Sequence, residues 1–338
     1  MSASSHDDTE DIEVNKKKRR NLFDIFYNMN GGKEITDDDR KAPRNFLFFF
    51  KLTSRNLLRL FYANILFLLA NFPIILIALF PARVFHTPVF SPSSPLALPF
   101  IGVTEFGITS PQLSALLGVF GNVSHVYLPT TLSWIFLIVG ALLLLFTFGP
   151  VSIGITYNLR NIVRGEPVFF LRDFWYSLKK NIKQGIIVGI IDLLLCFMLT
   201  YDLFFFYGRL GSSFMNGIMF WATVFMILIY FTMRFYIYLL TLTFDLKIIH
   251  IFKNALIFAF LGFKRNFLAI LGIILVIFIN FYVMVIYLPI GIILPLIISV
   301  GLCMFMATYA AWPKIKEIMI DAYEQESEND DFTDNADV

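Results

Sequence analysis

Six apolar stretches, each long enough to cross a bilayer, alternate with loops whose lysines and arginines fall almost wholly on one side. A helix needs about 20 apolar residues to span the hydrocarbon core, and in that solvent every backbone polar group must be satisfied within the protein. The stretches are Leu57–Phe80, Thr131–Tyr157, Gln184–Tyr207, Phe214–Leu240, Phe267–Leu288 and Pro289–Ala311. Gly149-Pro150 predicts a kink or break near the inner end of the second, and Pro289 splits one long apolar run into the fifth and sixth,. Only 15% of residues are charged, against about 25% in a soluble domain, so a water-facing surface is out of reach,. The sequence predicts an all-α polytopic membrane helix bundle with six transmembrane helices.

Orientation follows from Lys and Arg placement. Arg40, Lys41, Arg44, Lys51, Arg55 and Arg59 precede the first span. Arg160, Arg164, Arg172, Lys179, Lys180 and Lys183 lie between the second and third. Lys247, Lys253, Lys264 and Arg265 lie between the fourth and fifth, and Lys314 and Lys316 follow the sixth. The opposite side holds Arg83 and Arg209. Both termini are therefore expected in the cytoplasm of a multi-pass cell-membrane protein, with cytoplasmic loops 158–183 and 241–266 inside a membrane domain of residues 46–313.

Residues 1–45 are expected to form a polar tail without a cleavable signal peptide, and include a basic cluster, Lys16–Arg20, and an aromatic stretch, Leu22–Tyr27,. Such a pairing anchors weakly to anionic headgroups. Residues 314–338 form an acidic tail,. The outer loop 82–129 is rich in Pro and Ser, and Ser110-Pro111 reads as the cap and first residue of a short helix,. Ser54-Arg55-Asn56-Leu57, Lys179-Lys180-Asn181-Ile182 and Lys264-Arg265-Asn266-Phe267 each open an inside-to-outside span, so three similar hairpins are one reading and interface composition the other.

Asp192 is the sharpest functional candidate. It lies about 12 Å into the third span, on the face that carries Gly185 and Gly189,. Arg234 lies at a similar depth in the fourth span, and the two are expected to pair, because an unpaired charge there is costly,. The pair reads as a coupling site, as a charge lock between helices, or as Arg234 snorkelling away from a neutral Asp192. Asn64, Asn71 and Asn280 read as interhelical amide contacts or as a polar path lining,. Asp202 is a candidate partner for Arg209 at the outer end.

No enzyme activity, cofactor or metal is expected. His6, His86, His125 and His250 lack ligand spacing, Cys196 and Cys303 sit inside apolar spans, and no Walker-type phosphate loop exists,. A net charge of +2 argues against nucleic acid and leaves the lipid bilayer as the expected partner,.

The loop between the second and third spans carries Phe148-Gly149-Pro150-Val151, Tyr157, Arg160, Arg164-Gly165-Glu166, Arg172-Asp173-Phe174-Trp175 and Lys180-Asn181. Physically, its cations and the Trp175 helix suit the inner membrane surface or an acidic partner. This combination resembles the YesL-like family of uncharacterised bacterial integral membrane proteins, with agreement also around Asn64–Pro73, Thr243–Leu246 and Lys253–Leu256. The stretch between Pro73 and Gly149 is longer here than in the family's pattern. Members are commonly encoded beside carbohydrate importers and polysaccharide-degrading enzymes. The resemblance therefore implies a transport-associated protein, an accessory subunit or small permease linked to carbohydrate uptake in the bacterial cell membrane. Segment Leu246–Phe263 would then dock a cytoplasmic transport subunit or another membrane protein. The alternative expectation is a membrane scaffold or sensor reading the outside through residues 82–129.

Overall fold

The computed structural model describes residues 44–92, 110–120 and 123–322. Residues 1–43 of the first tail, residues 323–338 of the acidic tail and residues 93–109 and 121–122 of the loop lie outside the described residues, while residues 314–322 continue as helix. Five helices among the described residues are long and apolar enough to cross a membrane: Thr131–Arg164, Ile182–Tyr207, Phe214–Thr243, Phe263–Ile286 and the composite Leu288–Ile320. Their surfaces are as apolar as a core, with Phe197, Phe204, Trp221, Phe278 and Ile286 each at least 62% exposed. Water would not tolerate that surface, whereas lipid does. The fold is that of an all-α polytopic membrane bundle.

The chain divides into two compact units, residues 71–147 and the remainder. In the larger unit α1 spans Phe46–Arg55 and α2 Leu57–Ala70. In the smaller unit α3, Pro73–Ala78, is followed by strand β1, His86–Pro92, helix α4, Pro111–Phe120, and strand β2, Val123–Pro129. Helix α5, Thr131–Arg164, begins in this unit and ends in the larger one. There follow α6, Phe170–Lys180; α7, Ile182–Tyr207; α8, Phe214–Thr243; α9, Ile248–Leu261; and α10, Phe263–Ile286. Helix α11, Leu288–Leu294, a π-helical segment Pro295–Ser299 and α12, Val300–Ile315, complete the chain, with a second π turn at Lys316–Ile320.

The first apolar stretch is not one helix. It ends at Ala70 and resumes at Pro73, because proline has no N–H to continue the ladder,. The second passes through Gly149-Pro150 without a break. The expected hairpin at Pro289 is present at Tyr287 and is tight, since a side chain on Gly291 would run into Met284.

The described parts of residues 82–129 hold more order than their composition predicts. Ser110 caps α4 as expected, its Oγ accepting from the Leu113 N–H at 3.1 Å. The strands are new: His86 pairs with Pro129 and Pro92 with Val123 in an antiparallel ribbon. Thr130 and Ser133 donate to the Phe85 carbonyl at 2.6 and 2.8 Å, tying the ribbon to the start of α5.

The three similar hairpin openings share one piece of chemistry. Asn56 Nδ2 donates to the Leu52 carbonyl at 2.9 Å, Asn181 Nδ2 to Ser177 at 3.1 Å, and Asn266 Nδ2 to Ala259 at 3.0 Å. Asn56 and Asn181 each add the side-chain amide to a carbonyl four residues back that already takes the same residue's N–H, whereas Asn266 reaches seven residues back.

Candidate functional site

The site begins at a helix crossing in the larger unit. A Cβ on Gly149 would strike the Gly185 carbonyl and stand 2.8 Å from Gly189 Cα, so α5 and α7 meet backbone to backbone. Small residues one turn apart allow that approach. The buried stripe of α7 is Gly185, Val188, Gly189 and Asp192. Asp192 thus points into protein and is fully buried.

Helix α8 answers with Tyr230, Arg234 and Tyr238, spaced four apart on one face,. Tyr230 Oη donates to Asp192 Oδ1 at 2.7 Å and Tyr238 Oη to Oδ2 at 2.5 Å. Arg234 Nε lies 2.9 Å from Oδ1 and 3.2 Å from Oδ2. Cys196, one turn along α7, places its Sγ 3.7 Å from Oδ1. Four donors therefore surround one carboxylate, the arrangement that lets a charge persist away from water. Sequence reasoning found Asp192 and Arg234 and missed both tyrosines, although their spacing of four on either side of Arg234 was a usable signal.

Arg234 has a second environment. Its side chain keeps 27% exposure and lines a cavity of about 350 Å³. The walls come from α2 (Phe67), α5 (Phe148, Ser152, Thr156), α8 (Phe231, Arg234, Phe235, Tyr238), α10 (Ile273) and α12 (Val300 to Thr308). The guanidinium carbon sits 5.8 Å from the Phe148 ring centroid.

The remaining intramembrane amides lie elsewhere. Asn64, fully buried, donates to the Pro295 and Leu296 carbonyls at 3.1 and 2.6 Å and accepts from the Gly301 N–H at 2.8 Å. It supplies the partners that the π-helical segment disturbs. Asn280 Oδ1 accepts from Ser299 Oγ at 3.0 Å, at the end of the same segment. Asn71, in the smaller unit, accepts from Thr147 Oγ1 at 3.4 Å. None of these three lines the Arg234 cavity. Arg209 does not meet Asp202; it lies 3.7 Å over Phe205 and donates to that residue's carbonyl.

The motif loop turns out to be largely structural. Arg164-Gly165-Glu166 ends α5: Glu166 N–H bonds to the Asn161 carbonyl and Gly165 N–H to Ile162, with Gly165 at φ 79°. That is a Schellman stop, which calls for glycine at the left-handed position. Arg164 closes across it onto Glu166 at 2.7 Å. Asp173 Oδ2 accepts from the Phe169 N–H at 2.8 Å and so caps α6. Trp175 is exposed beside buried Phe174, the two-sided pattern expected of a surface helix. Arg160 departs from the expected lipid-facing role. It is only 7% exposed, donates to Thr243 Oγ1 at 3.1 Å and shares the Trp312 face with Arg164. A guanidinium held by the Thr243 hydroxyl and the Tyr157 and Trp312 rings joins α5, α8 and α12 and is not available to headgroups,.

Residues 128–203 match a family described as "Protein of unknown function, DUF624". The match begins at the end of β2 and runs through α5 and α6 into α7, so it contains Gly149, Pro150, Arg160, Arg164, Glu166, Asp173, Trp175, Asn181 and Asp192. It is consistent with the YesL-like resemblance. No curated protein and no solved structure matches the chain. Together the match and the five apolar helices support a multi-pass integral membrane protein.

Proposed function

We propose that the protein is a transport-associated component of the bacterial cell membrane, an accessory subunit or small permease that binds a ligand within the bundle at Arg234. One observation supports this reading above others. Of the buried Asp192–Arg234 pair, one member is sealed among phenols while the other borders open space in an apolar region. A pair that only locked two helices would be expected to close both charges away. A ligand in the cavity would touch five helices at once, which suits a binding event that shifts a helix arrangement,.

The topology in this reading keeps six crossings with both termini cytoplasmic. Basic residues flank both Leu57 and Arg164, so the broken helices α2 and α3 and the long helix α5 must together cross twice,. Carbohydrate uptake describes the system served, as the family resemblance implies, and the protein itself is not an enzyme. Helix α9 would meet its partner at the membrane rather than in water, because Ile249, Leu256, Ile257 and Phe260 form an apolar outer face.

The test is uptake of radiolabelled oligosaccharides by cells lacking the gene, complemented with wild type or with Ala307→Phe, which fills the cavity. Uptake should return with wild type and stay low with the variant; equal uptake in all three strains would sink the reading. A second reading, a scaffold or sensor, draws on the separate compactness of residues 71–147. Deleting residues 84–127 should disable a sensor and spare a permease.

A further inference from the structure

The Arg234 cavity is chemically lopsided, with one cation and a mostly apolar wall. We infer that it is a binding site for an anionic amphiphile: a ligand with a carboxylate or phosphate head and a compact apolar body. This rests on the ligand-binding reading above and specifies what it binds.

The argument starts from the guanidinium. Arg234 spends Nε on Asp192, and its two Nη groups make no hydrogen bond within the described protein. A guanidinium offers five N–H donors in a planar fork that matches carboxylate and phosphate geometry. Four of the five therefore remain open, in a region where unmet donors are costly. Asp192 engages only Nε, its two oxygens also accepting from Tyr230 and Tyr238, so the Nη groups stay geometrically free for a ligand. Among the described residues no acidic side chain lines the cavity, and the formal charge in its lining is that of Arg234.

The walls supply the rest of the description. Ser152 and Thr156, one helical turn apart on α5, add hydroxyl-bearing residues to the lining, while Thr308 on α12 spends its hydroxyl on the Met304 carbonyl at 2.8 Å. Phe67, Phe148, Phe231, Ile273 and Met304 leave the remainder apolar. A simple inorganic anion would leave those walls unmatched, and a neutral apolar molecule would leave the Nη groups unmatched. A volume of about 350 Å³ sits at the small end of ligand sites,. The head could arrive on a bilayer lipid or on a free solute, since the chemistry is shared.

The experiment uses the full chain in nanodiscs of zwitterionic phosphatidylcholine, with empty nanodiscs as the baseline. The fluorescent probe dansylglycine, a carboxylate on a compact apolar body, is displaced by decanoate, decyl phosphate or decanol. The two anions should displace it at concentrations about tenfold below decanol, reflecting a charge-assisted hydrogen bond. Asp192→Asn with Arg234→Gln keeps a neutral hydrogen-bonded pair, so the bundle stays folded; it should still bind the probe but treat decanoate and decanol alike. Lys180→Gln with Lys183→Gln, at the basic surface, should keep the wild-type preference. Equal displacement by decanol in wild type, or an unchanged preference in the Asp192 and Arg234 double variant, overturns the inference. Competition by phosphatidate in the nanodisc supports a lipid headgroup, and its absence supports a free solute. Loss of oligosaccharide uptake without loss of the preference separates the two claims: preference without any uptake role defeats only the transport reading, and uptake without preference defeats only the anion site.

Discussion

Gly149 and Gly189 face each other so closely that neither position has room for a side chain. A Cβ on Gly189 would stand 2.5 Å from Gly149 Cα. The contact carries α7 past α5 at the turn that precedes Asp192, so the crossing sets where the carboxylate points. Gly189→Leu should therefore cost about 1–3 kcal/mol through overpacking. A lowered unfolding midpoint in detergent would report it; an unchanged midpoint would mean that the two helices do not meet as described.

The Asp192 cluster predicts unequal losses. Tyr238→Phe removes one hydrogen bond and should cost about 1 kcal/mol. Asp192→Asn removes the charge that Arg234 needs and should cost about 3–5 kcal/mol. Adding Arg234→Gln to Asp192→Asn should recover part of that loss, because no unpaired charge then remains. A double-mutant cycle on unfolding free energies checks this, and strictly additive losses would show that the pair is not coupled.

What was legible in the sequence divides by range. Five of the six span positions were legible because about 20 apolar residues act together, whereas the first is divided between Leu57–Ala70 and Pro73–Ala78,. The Asp192–Arg234 contact was legible because charge at depth leaves few choices of partner. Tyr230 and Tyr238 were not, since a tyrosine in an apolar helix is ordinary until a carboxylate is placed opposite. Arg160 was misread because its sequence neighbours are those of a surface loop, whereas its actual partners, Thr243 and Trp312, come from distant segments. The ribbon at His86–Pro92 and Val123–Pro129 was hidden because its prolines argue against strands and the strict alternation that marks them is absent,. The break before Pro73 needed only the missing N–H, and composition had masked it.

Asn64 predicts a local effect. Its amide meets two carbonyls and one N–H around the π-helical segment. Asn64→Leu keeps the volume and removes all three partners, which should cost about 1–3 kcal/mol. Hydrogen exchange should quicken at residues 295–301 and stay unchanged in α7. Uniformly faster exchange would mean that Asn64 supports the bundle as a whole rather than this segment.

Arg265 offers a sharper test because it compensates for a named defect. Pro313 lies inside α12 and has no N–H for the Tyr309 carbonyl four residues back,. Arg265 fills the gap from the start of α10: Nη2 donates to the Tyr309 carbonyl at 3.1 Å and Nε to Ala310 at 3.2 Å. Arg265→Gln should therefore cost about 1–3 kcal/mol in the natural background, because two acceptors lose their donors. Pro313→Ala restores a helical N–H to the Tyr309 carbonyl. In that background the Arg265→Gln loss should shrink by about 1 kcal/mol, the worth of one hydrogen bond. Unfolding midpoints of the four proteins complete the cycle. The same loss in both backgrounds would show that Arg265 acts through its charge, or through its stacking beside Tyr309, and not as a substitute for the bond that proline removes.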